Sequence, residues 1–152
     1  MTLDKTDQKI LVELSKNARL SFRELSRKVG FSIGTVLTRV RRMENEKIIK
    51  GYSAILDQEK IGYELTAVVE IVVAKGKLLE MEEHIGRMPT TCAVYDVTGS
   101  TDAIIIAKFK NRDGLSNFTK TLLSMPFIER TNTHFVLTTL KEDFRLIVNN
   151  DS

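Results

Sequence analysis

The side chains of this sequence that best suit ligand contact lie in one short segment, residues 32–42. They are hydroxyl and guanidinium groups, with one glycine among them. The candidate residues are Ser32, Gly34, Thr35, Thr38, Arg39, Arg41 and Arg42. Short hydroxyls near a helix N-terminus can approach base edges, and arginines can bind guanines or phosphates. Carried on one helix, this set predicts contact with double-stranded DNA.

Residue types that carry catalysis or bind metals are few and scattered. His84 and His134 have no second histidine, C-x-x-C pair or carboxylate cluster at metal-ligand spacing. Cys92 lies in an apolar segment and is predicted to be a small core residue. The sequence contains no Walker-type loop, no G-x-G-x-x-G and no G-x-S-x-G. We therefore expect no enzyme, no cofactor and no metal site. A metabolic enzyme or sensor built on the C-terminal half is the rival interpretation.

Three predicted helices position the candidate DNA-contacting residues. The first covers about residues 4–17, with Asp4 as N-cap. The second begins at Ser21, which forms a capping-box pattern with Glu24, and ends at Gly30. A third follows over about residues 33–46. Two helices joined by a short turn that contains glycine predict a helix-turn-helix.

The third helix, capped by Ser32, has two contrasting faces. Val36, Val40 and Met43 form an inward stripe at i, i+4 and i+7. The opposite face and its edges carry polar residues and one glycine: Thr35, Thr38 and Arg42, flanked by Gly34 and Arg41, with Arg39 at the other edge.

Each of these polar residues also has a structural interpretation. The threonines are compatible with ordinary solvent-facing positions. Arg41 and Arg42 are also favoured in the C-terminal half of a helix by the macrodipole. Arg39 also suits an ion pair with Glu24 or Glu46.

Charge is distributed unevenly along the 152 residues. Residues 1–60 hold 13 Lys and Arg against 8 Asp and Glu, whereas residues 61–152 hold 10 against 12. A basic N-terminal part attracts a polyanion, so this asymmetry favours nucleic-acid binding there. A solvated basic surface is the alternative. No apolar run approaches the ~20 residues that span a bilayer, and the single cysteine suits a reducing compartment. We therefore expect a cytoplasmic protein with no membrane partner.

The apolar pattern after Lys50 is that of a mixed domain. Residues 51–64 predict a hinge, a short linker strand at 52–56 and a polar linker. Further elements are predicted as strands at 65–74, 91–98, 103–109 and 128–140 and as helices at 77–88 and 113–124. The order β-α-β-β-α-β predicts a ferredoxin-like domain, and the whole chain is predicted to be α+β.

The order and spacing of several segments resemble the Lrp/AsnC family, the leucine-responsive or feast/famine transcription regulators. Residues 3–11 (LDKTDQKIL) are similar to the family's opening, and residues 21–32 (SFRELSRKVGFS) to its second helix and turn. Residues 38–44 (TRVRRME) resemble its recognition helix, and residues 48–52 (IIKGY) the segment that leaves it. The resemblance implies a winged-type helix-turn-helix over residues 1–50 and an effector-binding and oligomerisation (RAM) domain over residues 65–152.

The resemblance also implies partners and an effector site. It implies a homodimer, often assembled into tetramers or octamers, that binds pseudo-palindromic DNA. Amino-acid effectors would bind between C-terminal domains, near the turn after the second sheet strand. That turn reads G-S-T-D where many members have G-D-x-D, and a T-x-T element follows in the last strand. The implied effector-binding residues are Gly99, Ser100, Thr101, Asp102, Thr131 and Thr133. The alternative interpretation is that these residues have only a structural role in the turn and the strand.

These observations predict a sequence-specific transcription regulator modulated by a small effector such as an amino acid. An architectural, weakly specific DNA-binding protein is the alternative. It would bind any duplex almost equally, with a steep dependence on salt.

Overall fold

The computed structural model describes residues 3–74 and 76–145 of the chain. The elements in chain order are α1 (Lys5–Lys16), α2 (Phe22–Val29), α3 (Ile33–Asn45), β1 (Leu65–Val73), α4 (Leu78–Gly86), β2 (Thr91–Asp96), β3 (Ala103–Phe109), α5 (Arg112–Leu123) and β4 (Ile128–Phe135). One compact unit holds the chain up to Ile55 together with residues 141–145, and a second runs from Leu56 to Leu140. Helices α1–α3 lie in the first unit and the βαββαβ series in the second, so the predicted α+β class is confirmed.

Reciprocal side-chain caps fix the starts of α1 and α2. The Asp4 carboxylate accepts hydrogen bonds from the amides of Thr6 and Asp7, both at 2.9 Å. The Asp7 carboxylate in turn accepts from the Asp4 amide at 3.2 Å, which completes a capping box. Ser21 and Glu24 form the second, predicted box at the start of α2. These bonds satisfy amides that have no partner within the helix.

The turn between α2 and α3 is short and sharply defined. Gly30 ends α2 with a φ of 79°, a left-handed conformation that glycine adopts without steric penalty. The Ser26 hydroxyl donates to the Phe31 carbonyl within the turn. Ser32 then begins α3 by accepting from the Thr35 amide at 3.1 Å. The predicted end of α2 and start of α3 are both confirmed.

The apolar sides of the three helices form the core of the first unit. Ile10 of α1 and Leu25 of α2 are buried beside Val36, Val40 and Met43 of α3, none of them more than 2% exposed. The predicted inward stripe of α3 is therefore confirmed, and α3 presents its opposite side to solvent.

The second unit is an antiparallel sheet with the strand order β2-β3-β1-β4. Alternate residues of β1, among them Val69 and Ile71, are fully buried with Met81 and Ile85 of α4 and Leu122 of α5. This is the predicted ferredoxin-like topology. The opposite side of the sheet is also apolar at its centre, but its side chains are only half-buried: Val68, Ile104 and Ile106.

One strand is shorter than predicted. Residues 52–56 pair with no described residue of this chain, so the predicted linker strand, whose pairing would be with another subunit, stays a prediction. Strand β4 ends at Phe135 rather than at residue 140. The Val136 amide still donates to the Thr66 carbonyl, but β1 begins at Leu65 and offers little more backbone to pair with.

The predicted core position of Cys92 is also wrong. Its side chain is exposed. Strand β2 lies at the edge of the sheet, and its register against β3 shifts between Thr91 and Ala93. Such an irregularity leaves the intervening residue out of the paired ladder, so apolar neighbours do not bury it. Among the described residues, every helix is too short or too polar to cross a membrane.

Replacing Gly30 by alanine is expected to lower the free energy of unfolding of the first unit by about 1 kcal/mol, because an L side chain is strained at this positive φ. The matched control is Gly51→Ala, since a Cβ meets nothing within 4 Å at either position and Gly51 lacks the positive φ. The control is expected to be neutral or to raise stability by about 0.4–1 kcal/mol. Equal urea midpoints for the two variants, followed by circular dichroism, would contradict this account.

Candidate nucleic-acid interface and effector site

The solvent side of α3 carries a continuous polar face. Gly34, Thr38 and Arg41 are exposed at i, i+4 and i+7, and Asn45 continues the same line one turn further. They point outward because the apolar stripe on the other side of the helix is buried. Sequence reasoning missed Asn45, although its spacing of four from Arg41 was available as a signal. The exposed line of α3 therefore presents bare backbone at Gly34, followed by a hydroxyl, a guanidinium and an amide from the other three residues.

Two exposed hydroxyls lie together at the N-terminus of α3. The oxygens of Ser32 and Thr35 are 2.9 Å apart, and Ser32 also accepts the Thr35 amide. One hydroxyl hydrogen is used between the pair, so the other is available to an outside acceptor. The N-terminus of a helix also favours anions through its free amides and its dipole.

Gly34 is not required by the packing of the first unit. A Cβ added there would find the Ser32 hydroxyl oxygen as its nearest neighbour, at 4.0 Å. The helical backbone is therefore bare at the N-terminal end of the exposed face. Glycine in such a place permits the close approach of another molecule.

Two of the three arginines of α3 turn to α1 rather than outward. The Arg42 guanidinium donates to Asp7 Oδ2 at 2.5 Å, and that of Arg39 donates to Asp7 Oδ1 at 3.0 Å and to Asp4. Asp7 is fully buried, whereas the side chains of Arg39 and Arg42 are 27% and 38% exposed. A buried carboxylate requires charged or hydrogen-bonding partners, and these arginines supply them.

This arrangement corrects two sequence expectations about geometry. Helical periodicity predicts Arg42 on the outward face, but Arg42 lies at the flank beside α1. Arg39 pairs with Asp4 and Asp7 rather than with the alternative structural partners Glu24 or Glu46. Neither sequence spacing nor helical periodicity within α3 reports which neighbouring helix lies against that flank.

Hydrogen bonding shifts the pKa values around this cluster. The backbone amide of Asp7, followed by the Arg39 guanidinium, lowers the pKa of Asp4 to about 2. The Asp4 and Asp7 carboxylates raise the pKa of Arg39. Asp4 and Arg39 are therefore both charged at neutral pH.

The C-terminal end of α3 is bonded to the segment that follows it. The Tyr52 hydroxyl donates to the Glu44 carboxylate at 2.8 Å. Partial burial, and then the hydrogen bond to Glu44, raise the pKa of Tyr52 to about 12. The phenol therefore remains a protonated donor at physiological pH, and it holds the start of the linker against α3.

The predicted effector turn takes part in the hydrogen bonding of the sheet. The Asp102 carboxylate accepts from the Val73 amide at 2.8 Å, and the Asp102 amide donates to the Ile71 carbonyl at 2.9 Å. The Thr101 hydroxyl donates to the same carbonyl at 2.7 Å. Gly99 has a φ of 130°, a conformation that favours glycine, and Ser100 is exposed. The turn thereby closes onto the end of β1.

A cavity of about 270 Å³ opens between this turn, β1 and β4. Its lining residues are Glu70, Val72, Thr101, Arg130, Thr131 and Asn132. The cavity brings together Thr101 and Thr131 of the predicted effector set. Gly99, Ser100, Asp102 and Thr133 do not line it.

Sequence reasoning missed three polar residues of the cavity, Glu70, Arg130 and Asn132. Register brings them together, because Asn132 pairs across the strands with Glu70 and Arg130 with Val72. No spacing along the chain reports that register.

The cavity carries one acidic and one basic group. The Glu70 carboxylate accepts from the Asn132 side-chain amide at 3.3 Å and lies 3.3 Å from His134 Nε2. Arg130 forms no ion pair with any described residue. Carboxylate, guanidinium and hydroxyl groups at one cavity can bind a ligand that has both an ammonium and a carboxylate. Within residues 3–74 and 76–145, no three His, Cys, Asp or Glu side chains form a metal site.

Comparison with known proteins agrees with this division of the chain. A winged helix-turn-helix DNA-binding family matches residues 3–50, and the Lrp/AsnC ligand binding domain matches residues 66–146. An uncharacterised HTH-type transcriptional regulator of Pyrococcus furiosus is 43% identical over 146 residues, which are 96% of this chain and 99% of that protein. The HTH-type transcriptional regulator FL11 of Pyrococcus horikoshii is 33% identical over 144 residues, 95% of each chain.

A solved structure extends the similarity to the whole fold. A transcriptional regulator of Neisseria meningitidis, crystallised as a complex with L-Met, superposes with a TM-score of 0.89 at 32% identity, over 97% of this chain and 98% of that chain. The two matched families together cover most of the sequence. The chain therefore belongs to the Lrp/AsnC family of transcription regulators, with a helix-turn-helix DNA-binding region followed by a ligand-binding domain.

Proposed function

We propose that this regulator recognises a pseudo-palindromic DNA site by placing α3 in the major groove, and that an amino acid bound in the second unit modulates this binding. The observation that carries the proposal is the division of α3. Its buried stripe fixes the helix in the first unit, and its polar face of Gly34, Thr38 and Arg41 is exposed. An α-helix with such a face fits the major groove.

In this proposal, different residues of α3 contact different parts of the DNA. Thr38 and Arg41 lie where they reach base edges, and Gly34 lets the helix backbone approach the groove closely. Ser32 and Thr35 offer a hydroxyl hydrogen to a phosphate at the N-terminus of the helix. Arg39 and Arg42 direct their remaining N–H donors to phosphates at the flank, since each guanidinium has five donors and Asp4 and Asp7 occupy only some of them.

Two features of the chain support assembly into a homo-oligomer. The open side of the sheet has an apolar centre of Val68, Ile104 and Ile106, with Tyr95 44% exposed beside it. Apolar surface of this kind is typical of faces that pack against another subunit. Residues 52–56 include Ile55, 74% exposed, in a segment of strand-like composition. A two-fold dimer would place two α3 helices in half-sites about 34 Å apart.

The cavity beside β4 suits an amino-acid effector. Its volume of about 270 Å³ lies just below the roughly 300–1,000 Å³ that ligand sites occupy, which favours a small ligand. Arg130 would bind the ligand's carboxylate, and Glu70 its ammonium group. The hydroxyls of Thr101 and Thr131 would complete the polar contacts. The L-Met complex of the related Neisseria regulator supports an amino acid as the ligand class.

The first test is selection from a library of random duplexes with the full-length protein, without and then with a mixture of the common amino acids. We expect enrichment of a two-fold-symmetric sequence and a change in its affinity when one amino acid is present. Equal recovery of all sequences would favour an architectural DNA-binding protein instead. No retained DNA would contradict binding through α3 altogether.

Arg41→Ala is expected to weaken binding to the enriched duplex by about tenfold, within the 1–3 kcal/mol of a good base contact. If Arg41 contacts a phosphate instead, the slope of log affinity against log salt should fall by about 1. Lys120→Ala is the control, because it also removes one exposed positive charge, in the second unit. Fluorescence anisotropy titrations at several salt concentrations measure both quantities. Identical results for the two variants would exclude a DNA contact by Arg41.

Arg130→Gln is expected to weaken amino-acid binding by about tenfold or more, because a charge-assisted contact to the ligand carboxylate is lost. The probe is the amino acid identified by the library experiment, and calorimetry measures its affinity. Arg112→Gln is the matched control, since Arg112 is an exposed arginine outside the cavity. If both variants bind the amino acid as the parent does, the effector lies elsewhere.

A further inference from the structure

A fully buried carboxylate on α1, that of Asp7, contacts two arginines of α3 at once. We propose that Asp7 is a positioning residue for DNA recognition: it holds Arg39 and Arg42 at the flank of α3, and so fixes how the exposed face of that helix meets the groove. The inference rests on the proposed role of α3. It adds a residue that lies on another helix and cannot touch DNA itself, because its side chain is 0% exposed.

The geometry uses both oxygens of the carboxylate. Asp7 Oδ1 accepts from Arg39 at 3.0 Å, and Oδ2 accepts from Arg42 at 2.5 Å and from the Asp4 amide at 3.2 Å. The carboxylate is thus fixed to the first turn of its own helix by the capping box. Arg39 and Arg42 are three residues apart and share one side of α3. The start of α1 is thereby bonded to the middle of the proposed recognition helix.

The position of Arg42 shows that its contact with Asp7 determines the conformation of the Arg42 side chain. Arg42 Nε is buried and has no hydrogen-bond partner among the described residues. An unpaired buried donor costs roughly 1–3 kcal/mol, a cost that a fully solvated guanidinium would avoid. The bond to Asp7 orients the guanidinium with its Nε toward the protein rather than toward solvent.

Stability alone does not explain a buried charge in so small a core. Well-packed apolar residues often replace a buried ion pair without loss of stability, because the desolvation of the charges offsets their attraction. What an ion pair adds is direction. The contacts of Asp7 favour one orientation of α3 against α1, because hydrogen bonds to a carboxylate depend on angle as well as distance.

The charges of the cluster also argue for a geometric role. Asp4 and Asp7 carry two negative charges against the two positive charges of Arg39 and Arg42. The group as a whole therefore offers phosphates little Coulombic attraction. What it can offer is N–H donors in fixed directions.

The test is Asp7→Asn in the full-length protein, which keeps the size of the side chain and removes its charge. The probes are the duplex enriched from the random library and a random-sequence duplex of equal length. We expect affinity for the enriched duplex to fall by about tenfold, the loss typical of one charge-assisted contact. Affinity for the random duplex should hold or rise, because the protein gains one net positive charge. The ratio of the two affinities is the decisive readout.

Glu46→Gln is the control for charge, since Glu46 is exposed at the C-terminal cap of α3 and removal of its charge alters the net charge equally. It should leave the ratio unchanged. Tighter binding of Asp7→Asn to both duplexes would mean that Asp7 only neutralises the arginines. Unchanged affinities with a lower thermal midpoint would mean a purely structural residue. Either result overturns the proposal.

A second variant covers the case in which Asp7→Asn does not fold. Arg42→Lys keeps the positive charge but loses the planar group that reaches Asp7, so it should also lower the ratio. An unchanged ratio in a folded Arg42→Lys protein would overturn the proposal as well. If the parent itself enriches no sequence, the proposed function fails, and that failure is distinct from any result with the variants.

Discussion

The helical period of α3 is the constraint on which the first unit depends, because this one helix must both build a core and, in the proposed function, contact DNA. Val36, Val40 and Met43 are buried against the other two helices, and this burial alone determines which residues are exposed. With about 3.6 residues per turn, the side opposite the stripe is a narrow line that begins at Gly34. The flank between the two sides is neither core nor solvent. There Arg39 and Arg42 contact the buried Asp7, and this contact connects the flank of α3 to α1.

Local sequence patterns predicted the helices of the first unit and their caps, but not the contacts between those helices. A capping box such as Ser21 with Glu24, or the left-handed Gly30, depends on residues a few positions apart, so its pattern is visible in the sequence. The pair of Asp7 and Arg39 spans 32 residues and depends on how α1 packs across α3. Periodicity shows that Arg39 lies near the edge of the apolar stripe. It does not show which helix lies there, and acidic residues closer in sequence made plausible but incorrect partners.

In the second unit, strand prediction is likewise limited by dependence on residues that are distant in sequence. Composition located all four strands of the sheet, but a strand exists only where another backbone pairs with it. Residues 52–56 have the composition of a strand and no partner among the described residues, and β4 stops where β1 has little more backbone to offer. Strand register also determines which residues meet at the cavity, and the sequence does not show that register. Glu70 and Arg130 lie 60 positions apart in the sequence, and only the pairing of β1 with β4 makes them neighbours. The resemblance to a family indicated the turn and the T-x-T element, whereas the charged groups of the cavity required the sheet.

Formal charge is an incomplete guide to DNA contact in this protein. Residues 1–60 carry more positive than negative side chains, yet Asp4 and Asp7 pair with two of the three arginines of α3. In the proposed mode of binding, long-range attraction falls to solvated cations such as Arg23 and Arg27, which are exposed four residues apart on α2. In the same proposal, discrimination between sequences falls to Thr38 and Arg41, and their approach to base edges depends on how α3 is oriented. The separation suits a regulator, because mobile charge attracts every duplex alike, while the position of donors relative to base edges differs from one site to another. An arginine paired with a buried carboxylate loses reach and gains direction. If Asp7 positions α3 as proposed, the fixed direction of Arg39 and Arg42 on the phosphates sets where Thr38 and Arg41 meet the bases.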